Sequence, residues 1–316
     1  MRWTKERFSE AIDVLSVSHT LYDAAEVLTS RWGSPVSKDA LHMAFGRQGR
    51  KAGAYLSSQK PESLVVDYKT EDNWEYSESS GAIVNGWMCL AFSADWHVGS
   101  KHCAETAILG WQRFLYAAGA RTHFIAGDWS EGAYYSRGGQ HSLTEVGIDA
   151  QVSKTLELLE QRPGLVHYYI DGNHDKTFGH QVGCEAGEYL ESSAIAMGRS
   201  DIKYLGYQSG RTEIGGIDVE LVHYRRGVYM APSKYLANRP DSDLPDILCG
   251  GHYHIDDVKS IRNVLCIQPG SFQYETPFMA GTRIHPTGGR LVWINFLQSG
   301  HRRYLTEWVP EGAVWA

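Results

Sequence analysis

Leu165-Val166-His167-Tyr168-Tyr169-Ile170 runs directly into Asp171-Gly172-Asn173-His174-Asp175, and the fold turns on how that junction is read. A short run rich in aromatic and branched apolar residues suits a buried β-strand, and the abrupt change to Asp, Gly, Asn and His marks a polar turn at its carboxyl end. The junction recurs along the chain. Trp87–Phe92 runs into Ser93-Ala94-Asp95-Trp96-His97, and Thr122–Ala126 into Gly127-Asp128. Val219–Val222 leads to His223, and Asp246–Cys249 to Gly250-Gly251-His252-Tyr253-His254. Helical spacing over about 103–118 and 142–161 separates the first three runs. Strands alternating with helices predict an α/β layered body, and ligands of such sheets gather at the carboxyl ends of the strands.

Those ends supply a narrow chemistry. A single His or Asp is ordinarily a satisfied polar group, but five separate strand ends here offer only Asp, Asn and His. Oxygen and imidazole donors of this kind suit divalent ions such as Mn²⁺, Fe²⁺ or Zn²⁺. Asp95 and His97 are two residues apart, as are His252 and His254, so on an extended strand end each pair would point to one side.

The ordered blocks Asp95-x-His97, Gly127-Asp128, Gly172-Asn173-His174-Asp175, His223 and Gly251-His252-x-His254 resemble the calcineurin-like metallophosphoesterase superfamily over about residues 87–300. Pro269-Gly270-Ser271 resembles a turn of its compact bacterial members. The resemblance implies a four-layer α-β-β-α sandwich holding two divalent metal ions, Mn²⁺ first, with Fe²⁺ and Zn²⁺ as alternatives. It places Asp95, His97 and His254 on one ion, Asn173, His223 and His252 on the other, and Asp128 between them. The implied reaction is attack on phosphorus by a hydroxide shared by the two ions, with His174 as the catalytic acid that protonates the leaving oxygen. Asp175 would orient His174 or, more plainly, be a surface turn carboxylate.

Departures from the superfamily pattern narrow the substrate. Its protein phosphatases carry Gly-Asp-x-x-Asp-Arg-Gly, whereas this chain reads Gly127-Asp128-Trp129-Ser130-Glu131-Gly132, and they have Glu where Asp175 stands. The Asn-His-Asp form is similar to that of DNA-repair exonucleases and several phosphodiesterases. Arg225 and Arg226 follow His223 and offer planar forks for a substrate phosphate, with ordinary surface arginines as the plainer reading. Trp96, Trp129, Tyr134, Tyr135, Tyr253 and Tyr274 offer faces for stacking on bases, against packing.

Charge separates a head from this body. Residues 1–60 carry nine Lys/Arg and six Asp/Glu, net +3, against 21 and 31 in the remainder, net −10. Apolar residues recur at helical spacing through Ala11, Ile12 and Leu15 and again from Leu21 to Leu28, with Thr20 as N-cap and Gly33-Ser34-Pro35 as the stop. A third helix is expected after Ser37, with Ala40, Leu41, Ala44 and Phe45 on one side. Its polar face and tail carry Lys38, His42, Arg47, Arg50 and Lys51. That layout resembles a helix-turn-helix with a DNA-binding recognition helix, against a plain helical interaction module. The expected division is a helix-turn-helix-like domain at 1–55, a Ser- and Glu-rich linker at 56–82, and the metallophosphoesterase domain at 83–316.

Length and composition exclude several classes. At 316 residues, 42% hydrophobic and 21% charged, the chain is neither disordered nor fibrous. It lacks an apolar run near the roughly 18–20 residues of a membrane span. Five scattered cysteines without a C-x-x-C pair fit reduced thiols in a cytoplasmic setting. The leading expectation is therefore a two-metal nuclease with DNA as its partner. The alternative is a phosphatase or phosphodiesterase for a small molecule or nucleotide, with a regulatory head; a DNA-binding regulator with an inert metal domain is a third reading.

Overall fold

A computed structural model describes residues 7, 10–11, 14, 21–37, 40–41, 83–84, 87–133, 142–179, 183–225, 231–277, 279, 287–296 and 302–313. The chain separates into two units, Met1–Asp72 and Asn73–Ala316. In the first, helix α1 (Leu21–Trp32) buries Ala24, Ala25 and Leu28 along one stripe. Gly33 ends it in the left-handed region, φ +59°, where a residue without Cβ carries no steric penalty. Ser37 then caps a further turn: Ala40 N donates to Ser37 Oγ at 3.1 Å, and Leu41 N to Ser37 O at 3.1 Å. Lys38, His42, Arg47, Arg50 and Lys51 lie outside the described residues.

The second unit begins with β1 (Ile83–Val84), which pairs with the start of β2 (Trp87–Ser93). Helix α2 (Glu105–Ala117), β3 (Thr122–Ile125), helix α3 (Ile148–Leu158), β4 (Val166–Asp171), helix α4 (Ala186–Ala196) and β5 (Ile202–Tyr207) follow. Strands β2, β3, β4 and β5 are parallel neighbours. A strand covered on both faces has to be apolar on both, and alternation along β2 meets this. Met88, Leu90 and Phe92 face one core, while Cys89 and Ala91 face another. The second of these lies under α2, α3 and α4, where Ile108, Trp111, Leu115, Val152, Leu156 and Leu190 are buried.

The chain then builds a second sheet from β6 (Ser209–Ile214), β7 (Ile217–His223), β8 (Ile247–Gly251), β9 (Asp256–Ile261) and β10 (Val264–Pro269), in the order β6-β7-β8-β10-β9. Helix α5 (Ala231–Leu236) lies between β7 and β8 in sequence. Strands β11 (Gly288–Phe296) and β12 (Arg302–Pro310) return to the first sheet, which runs β12-β11-β2-β3-β4-β5 with β1 beside β2. Ile217, Val219, Leu221, Ile247 and Ile267 meet Leu90, Phe92, Phe124, Ile170 and Val292 between the sheets. Val222, Leu248 and Cys266 turn outward to meet Ala231 and Leu236 of α5. The layers are helix, sheet, sheet, helix, as the resemblance implies.

One helix boundary differs from expectation. The run read as helical over 142–161 is helical only from Ile148 to Leu158. Gly147, at φ +89°, holds the chain away from helical geometry before it, and Thr144 N is committed to Gly99 O at 2.8 Å. The five cysteines are free thiols, four of them buried.

Candidate metal centre

The loop after β2 runs beside the loop after β3: Asp95 N donates to Gly127 O, and His97 N to Asp128 O, each at 3.0 Å. Their backbone is not extended. Asp95, His97 and Asp128 have φ of 53°, 50° and 48°, and His252 and His254 have 93° and 52°. Alternation along a strand therefore does not aim these side chains; left-handed turns do. Such conformations cost about 1–3 kcal/mol each and collect where function requires them.

Glycines make room for this crowding. A Cβ on Gly172 would lie 2.2 Å from Asp128 Oδ1, and one on Gly127 would lie 2.5 Å from His223 Nδ1. The Gly before Asp128 and the Gly before Asn173 are thus set by close approach across the centre.

The strand ends converge. Donor atoms of Asp95, His97 and His254 lie within 4.8 Å of one another, as do those of Asp128, His223 and His252, and those of His97, Asp128 and His174. Asn173 Oδ1 lies 3.2 Å from His223 Nε2. Asp128 is shared: Oδ2 is 3.1 Å from His223 Nε2, and Oδ1 accepts His174 N at 2.8 Å. The His174 ring meets His97 edge-on at 4.5 Å.

An outer layer fixes the imidazoles. His223 Nδ1 donates to Ala126 O at 2.9 Å, and His97 Nδ1 meets Glu131 Oε2 at 2.9 Å, so both turn Nε2 toward the centre. Gln273 Nε2 donates to the same Glu131 oxygen at 3.3 Å. Asp95 accepts His252 N at 3.0 Å, and Ser271 Oγ donates to Asp95 O at 3.1 Å, which gives the Pro269-Gly270-Ser271 turn its place. Glu131 was legible in sequence only as a departure from a phosphatase motif. Its position three residues after Asp128 was the available signal for an orienting carboxylate.

Asp175 is not a surface turn residue. It is fully buried, and accepts Ser130 N at 2.8 Å, Ser130 Oγ at 2.6 Å and Gly172 N at 2.7 Å. It therefore ties the loop after β3 to the loop after β4. Burial, with Asp171 and Asp128 nearby, pushes its carboxyl well above the usual range.

The electrostatics are those of a place for positive charge. Burial pushes the Asp95 carboxyl up to about 7, with His223 pulling against it and Asp128 adding to it. Burial opposes ionisation of Asp128 too, but His223 and His174 hold that group well below the usual carboxylate range. Burial also works against a charged His97, yet its bond to Glu131 and the charges of Glu131, Asp128 and Asp95 carry it up to about 9. Asp128 does the same for His223, up to about 10. His252 is pushed down to about 4 by burial and His223, and burial with His97 lowers His254 well below its ordinary value. Neutral imidazoles offer lone pairs, and crowded carboxylates favour a cation. The donor set is of a kind that could hold divalent ions, with one cluster at Asp95, His97 and His254 and another at Asp128, His223 and His252.

Residues 148–282 match the calcineurin-like phosphoesterase superfamily domain. That match and the ordered blocks point to the same superfamily. The matched span takes in Asn173, His174, His223, His252 and His254, while Asp95, His97 and Asp128 precede it. A DNA polymerase II small subunit of Methanocaldococcus jannaschii is 26% identical over 266 residues, covering 69% of this chain and 44% of that protein; the chain spans less than half the length of that relative. Solved structures similar to this chain include a novel archaeal phosphodiesterase at 14% identity and TM-score 0.40, covering 70% of this chain and 100% of its own. Another is Zn²⁺-complexed Vps29 from Entamoeba histolytica, at 14% identity and TM-score 0.34, covering 71% of this chain and 99% of its own.

Around the candidate metal centre, the other expected residues divide. Arg225 is exposed, and its Nε donates to Gln208 Oε1; Arg226, Tyr134 and Tyr135 lie outside the described residues. Trp96 and Trp129 are fully buried, so they pack rather than offer faces to bases. Tyr253 stacks on Tyr224 at 6.1 Å, and Tyr274, which is exposed, donates its hydroxyl to Glu311 at 2.7 Å. Among the described residues, no helix is long and apolar enough to cross a membrane.

Proposed function

We propose that this phosphoesterase domain hydrolyses phosphodiester bonds in DNA with two divalent ions, Mn²⁺ first among them, and that the basic N-terminal residues hold the DNA. The observation that carries the reading is the convergence of seven donor residues and His174 on one centre. The similarity to a DNA polymerase II small subunit supports a nucleic-acid substrate over a protein or a metabolite.

The chemistry supplied by a bound pair of divalent ions is neutralisation of charge at phosphorus and activation of water. Asp95, His97 and His254 would hold one ion and Asn173, His223 and His252 the other, with Asp128 near both. Glu131 keeps His97 turned inward. His174, half-buried, has Nδ1 3.0 Å from Glu131 O. That bond occupies Nδ1 as donor and leaves Nε2 to give a proton to the leaving oxygen from the imidazolium form.

The test removes residues 1–60. DNA cleavage in Mn²⁺ is expected to weaken, while turnover of a small chromogenic diester changes little. Equal loss on both substrates contradicts the assigned division of labour. Turnover of the small diester alone by the full chain favours a small-molecule phosphodiesterase, with the head as a regulator.

A further inference from the structure

Two cations follow residues of the centre closely in sequence. Lys176 stands two residues after His174, in the short 3-10 turn Asp175–Phe178, and Arg225 two residues after His223. Both are exposed. Arg113, Arg199, Arg211, Arg239, Arg290 and Arg302 are each ion-paired with a carboxylate. Among the described residues, Lys176 and Arg225 have no such partner, as is true of Lys101, Lys203 and Lys234; Lys176 and Arg225 are the two that stand two residues from His174 and His223.

Neutral anchors hold them instead, and the anchors are adjacent. The chain passes from the first sheet to the second through Gln208, between β5 and β6. Gln208 is left-handed, φ +60°. Its N donates to Asp171 O at 2.8 Å, and its O accepts His223 N at 2.8 Å, so this one residue fastens the carboxyl ends of β4 and β7. Those are the ends that deliver Asn173, His174 and His223. The Gln208 side-chain oxygen accepts Arg225 Nε, and Lys176 Nζ lies 5.0 Å from the centroid of the Tyr207 ring. An amide and an aromatic face direct a cation without neutralising it. The net charge of the whole chain is −7, which makes two directed, unneutralised cations on adjacent anchors an anion-attracting feature.

We propose that Lys176 and Arg225 form a subsite for the phosphates that flank the scissile one along a nucleic-acid strand, with Tyr207 and Gln208 as positioning residues. The inference rests on the reading of the centre as a phosphodiesterase for nucleic acid. A compact monoester ends at the reacting phosphate, whereas a strand continues past it and reaches cations placed outside the donor cluster.

The test is equilibrium binding of a short single-stranded oligonucleotide to the full chain in chelator, across a range of salt concentrations. The wild type is compared with the double variant Lys176→Ala, Arg225→Ala and with the charge-keeping pair Lys176→Arg, Arg225→Lys. Each phosphate contact on a single strand contributes roughly 0.7 to the slope of log affinity against log salt, so the alanine pair should flatten the slope by roughly 1.4. The charge-keeping pair should retain most of the wild-type slope and serves as the control for folding. Contacts made by the N-terminal residues are common to all three proteins and leave the difference untouched. An unchanged slope in the alanine pair overturns the subsite. Wild-type cleavage of the same oligonucleotide in Mn²⁺ is scored separately. A flattened slope without cleavage retains the subsite and removes the nuclease reading, whereas cleavage with an unchanged slope removes the subsite alone.

Discussion

Asp128 receives His174 N on one oxygen and faces His223 on the other, with Asp95, His97 and His252 close around it. A residue placed between two cation positions should matter to both. Asp128→Ala is expected to lose bound metal as well as turnover, with elemental analysis of the purified protein as the readout. His174 stands beside the donors rather than among the seven, so His174→Ala should keep its metal and lose rate by roughly 10²–10⁴-fold. Metal loss from the His174 variant would overturn its role as acid. Asp175 is a different kind of residue: it accepts hydrogen bonds from Ser130 and Gly172 of the two loops. Asp175→Ala leaves Ser130 N, Ser130 Oγ and Gly172 N without their acceptor in a buried place, which should cost roughly 2–4 kcal/mol. Urea unfolding measures it, and an unchanged midpoint would mean that other groups satisfy those donors.

Strands β3 and β4 are joined beneath the helices by a buried polar chain. Trp111 Nε1 donates to His123 Nε2 at 3.2 Å, and the Ser93 hydroxyl lies 2.8 Å from the same nitrogen. An indole can only donate, so His123 Nε2 accepts, and its Nδ1–H is directed to His167 Nδ1 at 3.1 Å. Burial lowers His123 well below its ordinary value, and lowers His167 to about 4 against a reference of 6.5. The sign follows from linkage. As pH falls below about 6.5 the unfolded chain takes up a proton at His167 that the folded chain refuses until about 4. The stability from keeping His167 neutral is therefore full above that window and lost within it, by roughly 3 kcal/mol at the acid end. Thermal midpoints of wild type and His167→Gln, compared from pH 7 down to pH 4, should converge as the pH drops; parallel curves would contradict it.

At this scale legibility follows burial. Strands β2, β3, β4, β7 and β8 were readable because each is apolar for its length and ends in a polar turn. β6 and β12 were not, because their exposed residues alternate with half-buried ones and their state is set by pairing with β7 and β11. The donors could be named from block order and spacing, but not how they are aimed: the left-handed backbone at Asp95, His97, Asp128, His252 and His254 depends on hydrogen bonds from loops distant in sequence. Glu131 and Asp175 escaped for the same reason, since Gln273 for Glu131 and Ser130 for Asp175 are neighbours only in the folded chain.

For the whole molecule, the sandwich brings donors from both sheets to one edge. Asp95, His97, Asp128 and Asn173 come from the first sheet, and His223, His252 and His254 from the second. Divalent ions bound there should clamp the sheets together. At an ion concentration about a hundredfold above Kd, each such site adds about 2.7 kcal/mol. For a unit of this size that should raise the melting midpoint by roughly 5–10 °C per site. Chelator should reverse the shift, and Asp128→Ala should not show it. A wild type that melts at the same temperature with and without divalent ions would argue against a shared centre.

We propose that the converged residues form a metal-dependent nuclease. The most direct test is cleavage of linear, circular and single-stranded DNA by purified wild type in Mn²⁺, with Asp128→Ala prepared identically to expose any contaminating nuclease. DNA cleavage by the wild type is expected to require the ion and to be absent from the variant. Equal cleavage by both proteins, or turnover of a small phosphodiester with every DNA left intact, would contradict it.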